Sequence, residues 1–297
     1  MARTRLRGLE IAGIEIGIEV PRGCEWEWPD SPVADFQCLP RDPEVHIGLR
    51  VGALPGMDLG GERYAVGPWT FEIARRGSDW LLGLSRQGTR VQLAHFDRAF
   101  RVGEVILSPE AAATRSYPLQ SPIDEWIVLH RIVATGGLIV TGRARVEAER
   151  MIVRLGREDG SQDRRQSARG SSWLGRDSLV LRPIGGDPRL FPTPWSEDLD
   201  LGLARSIRVD EIERTEQAEM AFEAPVDPQE AAEVLLSHAV VPLCDESVLE
   251  RALRNAQRLA FGARVYDRGI TPEADQAGMP WCPPFLDPST SRLRSEV

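Results

Sequence analysis

The chain contains no lysine: all 36 of its basic residues are arginine. Coding bias toward GC-rich codons is enough to produce such a composition. Whatever its origin, it removes from this chain every mechanism that needs a side-chain amine, from Schiff-base chemistry to a phosphate-loop ammonium or a lysine general base. Cysteine is scarce as well. Cys24, Cys38, Cys244 and Cys282 lie far apart with no CxxC pair, and His46, His95, His130 and His238 are as scattered. Neither set has metal-ligand spacing, so neither a metal nor another cofactor is expected. No run approaches the roughly 18 uncharged apolar residues of a membrane span. The longest candidate, 126–140, is interrupted by His130, Arg131 and Gly136-Gly137. The basic start, Met1 to Gly8, leads into an alternating pattern and not into an apolar secretion segment, so a cytoplasmic protein with reduced thiols is expected.

What is present is ordinary in amount and uneven in arrangement. Of 297 residues, 42% are hydrophobic and 27% charged, enough for two domains with buried cores. The net charge of −9 argues against a nucleic-acid binder, which needs a basic face to displace counterions from phosphates. Residues 1–115 read as a small antiparallel β domain. Ile14, Ile16, Ile18 and Val20 alternate, as do Val45, Ile47, Leu49 and Val51, and Phe71/Ile73, Trp80/Leu82/Leu84 and Val91/Leu93 continue the period of two. Val102 to Leu107 makes a last strand. From residue 116 the pattern changes. Ser121 reads as a helix N-cap and Pro122 as the first helical residue, with Ile123, Trp126, Ile127 and His130 on one face and Gly136-Gly137 as the stop. Leu138-Ile139-Val140, Met151-Ile152-Val153 and Ser178 to Leu181 read as short buried strands of a mixed sheet. Between the last two, residues 156–172 are almost devoid of apolar side chains and read as a mobile loop. Asp227-Pro228-Gln229-Glu230 opens a helix with a capping box, a second helix begins near Asp245, and Arg264-Val265-Tyr266 reads as one more strand. The Pro-rich tail, 269–297, has no period.

The order of these pieces resembles the HPr serine kinase/phosphorylase-like family. The resemblance spans roughly residues 5–268 and is carried by Tyr117-Pro118-Leu119 through Val140, the strand Ser178 to Leu181, the Phe191-Pro192-Thr193-Pro194-Trp195 loop, and the two-helix segment ending in Val265-Tyr266. It implies an α+β protein: an N-terminal β-rich domain (1–115), a phosphoenolpyruvate-carboxykinase-like P-loop α/β domain with C-terminal helices (116–268), and the tail (269–297). In that family a GxxxxGK[ST] loop follows a strand, cradles phosphates with its amides and reaches them with its lysine. The matching segment here begins at Gly156, but Ser161 stands at the second glycine, Gln162 at the lysine and Asp163 at the hydroxyl position. Glu158 and Asp159 add carboxylates where polyphosphate would sit. Two like charges about 4 Å apart repel by about 4 kcal/mol at an effective dielectric of about 20, so the arrangement opposes ATP. Of the paired aspartates the family carries before its next strand, Asp177 alone is retained, and Thr141 replaces an upstream histidine.

These departures imply a catalytically inactive, kinase-like binding or scaffolding protein whose partner is a small protein or peptide, or a second copy in a homo-oligomer. An enzyme reading stays beside it: a divergent nucleotide-binding kinase with Arg154, Arg157 or Arg164 on phosphate and Asp177 on magnesium. A third reading is a structural subunit of a larger complex, attached through its tail. Arg154, Arg157, Arg164, Arg165, Arg169 and Arg176 read either as a phosphate cluster or as a solvated loop interleaved with carboxylates. Asp177 reads as a metal ligand or a turn residue, and His130 as a packed core or boundary histidine. Trp26 and Trp28 read either as an interface hot spot or as a core pair, and Trp195 as a partner contact or a rigid turn.

Overall fold

The computed structural model describes residues 5–29, 32–56, 58–115, 117–147, 149–156, 173–195, 206–242 and 246–270. They belong to two compact units, Met1–Thr135 and Gly136–Val297. The architecture is mixed α+β, with a β-rich N-terminal region and helices toward the C-terminus. Among the described residues no helix is long and apolar enough to cross a membrane.

The first unit is built on a nine-stranded sheet: β1 (Arg5–Ile11), β2 (Ile14–Val20), β3 (Gln37–Cys38), β4 (Val45–Val51), β5 (Glu62–Val66), β6 (Trp69–Arg76), β7 (Asp79–Arg86), β8 (Thr89–Phe96) and β9 (Val102–Leu107). Its order is β3-β1-β2-β4-β9-β8-β7-β6-β5. Period-two alternation makes the strands, and two-residue turns fix the register of their hairpins. Ala12-Gly13 and Gln87-Gly88 both have positive φ at both residues, the backbone that matches the twist of paired strands. The sheet is mixed and not antiparallel as its sequence pattern implies, because β4 runs parallel to both β2 and β9. Alternation alone does not carry strand direction.

Two helices accompany the sheet, α1 (Pro109–Ala113) and α2 (Ile123–Ala134). The division between units falls after α2, whereas the sequence boundary at 115/116 lies before it. The helix buries its face in the first unit: His130 stacks 4.3 Å from Phe100 and 5.5 Å from Trp126, and lies 5.4 Å from Trp80. Arg131 is buried and donates to the Ala99 carbonyl at 3.1 Å and to Glu44 at 2.9 Å. Ser121 is not the N-cap and Pro122 is not the first helical residue. Pro122 itself occupies the cap position with φ −100° and ψ 19°, outside helical geometry, and the Ser121 hydroxyl donates to Glu125 instead.

The second unit holds an eight-stranded sheet made of β10 (Leu138–Glu147), β11 (Arg150–Leu155), β12 (Trp173–Ile184), β13 (Asp187–Phe191), β14 (Ile207–Arg208), β15 (Glu211–Gln217), β16 (Phe222–Pro225) and β17 (Arg264–Ile270). The order is β14-β13-β12-β10-β11-β15-β17-β16, with β11, β15 and β17 parallel. Helix α3 (Pro228–Ser237) starts where the sequence places it: the Asp227 carboxylate accepts from the Gln229 and Glu230 amides at 2.9 and 3.2 Å. Glu230 turns its carboxylate toward Arg214, 3.6 Å away. Helix α4 (Glu246–Gly262) buries Val248, Ala252, Ala256 and Leu259 and packs on β10, β12, β13 and β17. The tail from residue 271 and the segment 157–172 lie outside the described residues.

Candidate functional site

The family resemblance puts a phosphate loop at the end of β11. β11 forms because Met151, Ile152 and Val153 are apolar on both faces and the strand is enclosed by β10 and β15; Met151 through Leu155 are all buried. It ends at Gly156, whose φ of +99° lies in the region glycine tolerates and other residues rarely adopt. The Gly156 amide donates to the Thr141 carbonyl at 3.0 Å. Thr141 in turn sends its amide (2.8 Å) and its hydroxyl (3.2 Å) to the carbonyl of His238, the residue that closes α3. The chain then bridges Ala239 to Val140, so the end of α3 is tied to β10 beside Gly156. The His238 ring is half-buried, and burial, with Arg214 as a second cause, holds it below its ordinary value of 6.5.

The arginine that enters this corner on β11 is already engaged. Register places Arg154 opposite Glu213 of β15, and Arg154 Nε donates to Glu213 Oε1 at 2.6 Å. Glu213 is fully buried and also meets Arg268 Nη1 at 2.7 Å and Arg145 Nη2 at 3.5 Å. Two residues earlier on the same face, Glu211 meets Arg150 at 2.6 Å, Arg268 at 3.3 Å and Arg264 at 3.5 Å. Arg268 reaches Glu223 at 3.0 Å, and Arg145 reaches Glu147 at 3.1 Å. The result is an arginine–glutamate lattice laid across β10, β11, β15, β16 and β17. Burial alone would push the Glu213 carboxyl up; Arg154, Arg145 and Arg268 outweigh it and hold the group below its ordinary value of 4.5. A guanidinium held by a buried carboxylate is not available to a phosphate.

On the opposite face Arg214 grips Asp267, through Nε at 2.8 Å and through Nη2. Among the described residues no group of three or more His, Cys, Asp or Glu is placed to hold a metal ion. Asp177 sits inside β12 opposite Gly142 of β10, within a strand and not in a turn. Ser161, Gln162 and Asp163, with Arg157, Arg164, Arg165 and Arg169, lie outside the described residues.

The tryptophans separate by unit. In the first, Trp26 is buried and Trp28 half-buried, their rings 6.1 Å apart and edge-on, with the Arg7 guanidinium 4.2 Å over Trp26 and 5.0 Å over Trp28. Trp28 also lies 5.5 Å from Tyr117. Trp26 is therefore a core residue, fixed by a cation–π stack. In the second unit, Trp195 is half-buried after a turn anchored by Thr193, whose hydroxyl donates to the Ser178 carbonyl at 3.1 Å. His130 is packed among aromatic rings, in keeping with a core histidine.

Sequence reading missed the lattice. Glu211-Ile212-Glu213-Arg214-Thr215-Glu216 has one apolar residue and looks like a solvated loop. The alternation of Glu211 and Glu213 with Ile212, together with Arg150 and Arg154 at even spacing on β11, is the signal that could have revealed it. A scan against protein-family models and a search of the curated proteins find no match to this chain.

Proposed function

We propose that this protein is a non-catalytic relative of the HPr kinase/phosphorylase-like kinases: a cytoplasmic pseudokinase that binds a small protein or peptide. The finer fold belongs to the same proposal, with the second unit descending from a phosphoenolpyruvate-carboxykinase-like P-loop domain. One observation carries it. The strand that should deliver a phosphate loop ends at a glycine with the required backbone, yet its arginine is held by the buried Glu213, and the chain has no lysine to replace it. Thr141, where the family has a histidine, is engaged with the His238 carbonyl and presents no acid–base group. Supporting the kinase ancestry are the four passages of resemblance and their order along the chain.

The test is a thermal-shift titration of the full chain with ATP, ADP, GTP and pyrophosphate, with and without magnesium. A ligand that binds the native state raises the melting temperature by mass action. The expected result is an unchanged melting temperature at millimolar ligand. A magnesium-dependent rise, followed by phosphotransfer to a partner protein, would establish a rebuilt active site and overturn the reading.

A further inference from the structure

Among the described residues the nine-stranded sheet of the first unit ends in an open edge. β5 is its last strand, with β6 as its neighbour, and Glu62, Arg63, Tyr64 and Ala65 are all exposed. Alternate amides and carbonyls along such a strand point away from the sheet and can accept one more strand.

Beside this edge, on one face of the sheet, lies a groove of about 640 Å³. Tyr64, Trp69, Phe71 and Leu84 contribute from β5, β6 and β7, and Pro122 and Trp126 from the start of α2. Cross-strand register puts Tyr64 opposite Phe71 and Phe71 opposite Leu84, so these side chains share a face. Glu62 shares it too, because its carboxylate accepts from the Tyr64 hydroxyl. Arg63 points to the other face, where it pairs with Glu72 and Asp58.

The charge pattern of the groove selects its occupant. Glu125 lines it, and Glu62 stands at its edge. Among the described residues neither carboxylate forms an ion pair; each accepts a hydroxyl, Glu125 from Ser121 and Glu62 from Tyr64. At the other end the Arg86 guanidinium lies 5.5 Å over the Trp69 ring, which shows that a cation fits against these rings. Aromatic faces combined with unpaired carboxylates attract ammonium and guanidinium groups.

We infer that this groove and the β5 edge form one peptide-binding site: an extended segment of a partner polypeptide adds as a tenth strand on β5 and places an arginine or lysine side chain against Tyr64 and Trp126, between Glu62 and Glu125. Main-chain hydrogen bonds supply sequence-independent affinity, and the side chains that alternate toward the groove supply selectivity. A second copy of this chain fits less well. Its own β5 would turn Glu62 and Tyr64 inward and so offer the groove a carboxylate in place of a cation. The inference rests on the peptide-binding part of the proposed function and is independent of whether nucleotide binds.

The experiment pans the immobilised full chain against a display library of random decapeptides. Selected peptides are expected to share an arginine or lysine with apolar or β-branched residues at two-residue spacing. The tightest of them is then titrated by fluorescence polarisation against the wild type and a Glu62→Gln/Glu125→Gln double variant. Binding is expected to weaken roughly tenfold or more in the variant and to fall with added salt. Bound peptide should also slow amide exchange in residues 62–66. A library that yields no binder, or binders that are acidic or insensitive to the double substitution, would overturn the site. So would a dimer, seen by sedimentation, that protects β5 without any peptide. Peptide capture together with a magnesium-dependent nucleotide shift would sink the pseudokinase reading and leave the groove standing; the reverse pair of results would do the opposite.

Discussion

The two sheets of this protein bury their strands by different means. In the first unit, β2, β4, β7, β8 and β9 turn Ile16, Ile47, Leu82, Ala94 and Val105 inward, all at most 1% exposed, and the interior is aliphatic with an aromatic layer around Trp80 and His130. In the second, one face is equally apolar, with Val140, Val153 and Ile212 fully buried, but the other carries Arg145, Arg154, Glu211, Glu213 and Arg268 in a buried lattice. Aliphatic burial is non-directional and indifferent to pH. A buried lattice holds only while every charge keeps its partners, because removing one member leaves the others desolvated and uncompensated. The first arrangement tolerates approximate fit; the second fixes which strand lies next to which.

The largest effect expected from this contrast follows Glu213→Ala, which removes the buried carboxylate that Arg154, Arg145 and Arg268 share. It should cost about 3–5 kcal/mol of unfolding free energy, measured by chemical denaturation of the full chain. Leu82→Ala, in the aliphatic sheet, should cost about 2–5 kcal/mol by leaving a cavity. Equal losses for the two do not erase the contrast; pH does the separating. Glu213 is held below its ordinary value of 4.5, so its contribution is complete above that pH and is lost as pH falls through the lower folded value. The wild type and Leu82→Ala should therefore share the same acid slope below about pH 4.5, and Glu213→Gln should flatten it. A Glu213→Gln variant with the wild-type slope would show that the lattice does not supply it. The smallest expected effect has the opposite sign. The Tyr117 hydroxyl is buried with no hydrogen-bond partner among the described residues, and burial, then the Asp124 charge, push its phenol well above the ordinary 10.0. Tyr117→Phe keeps the ring beside Trp28 and should raise stability by about 1 kcal/mol in the same assay.

The aliphatic sheet was the part most legible in the sequence. Strands from Ile14 to Val20 and Val45 to Val51 show their period of two directly, the helix after Asp227 shows its cap, and both helices beyond it show an apolar stripe. Strand direction in the first sheet was not legible, since the parallel alignment of β4 depends on connections and not on pattern. β15 was hidden for a different reason: its inward residues are glutamates whose partners lie in strands far away in the sequence, so no local window reads as buried. The glycine at the end of β11 was legible as a corner, whereas the engagement of Arg154 by Glu213 was not. The groove beside β5 was missed because Tyr64, Trp69 and Trp126 converge only once β5, β6 and α2 are assembled.

β4 has a consequence for how the first unit forms. The β1–β2 pair and the run from β5 through β9 are joined by short turns and can close locally. β4 lies between them and parallel to both, with Ile16 beside Val45 and His46 beside Val102. A parallel neighbour cannot be reached by a hairpin, so the centre of the sheet forms only when β2, β4 and β9, distant in the sequence, have been brought together and the entropy of the chain between them surrendered. The middle of this sheet is thus the slowest place in the unit to assemble, although it is among the most deeply buried once made.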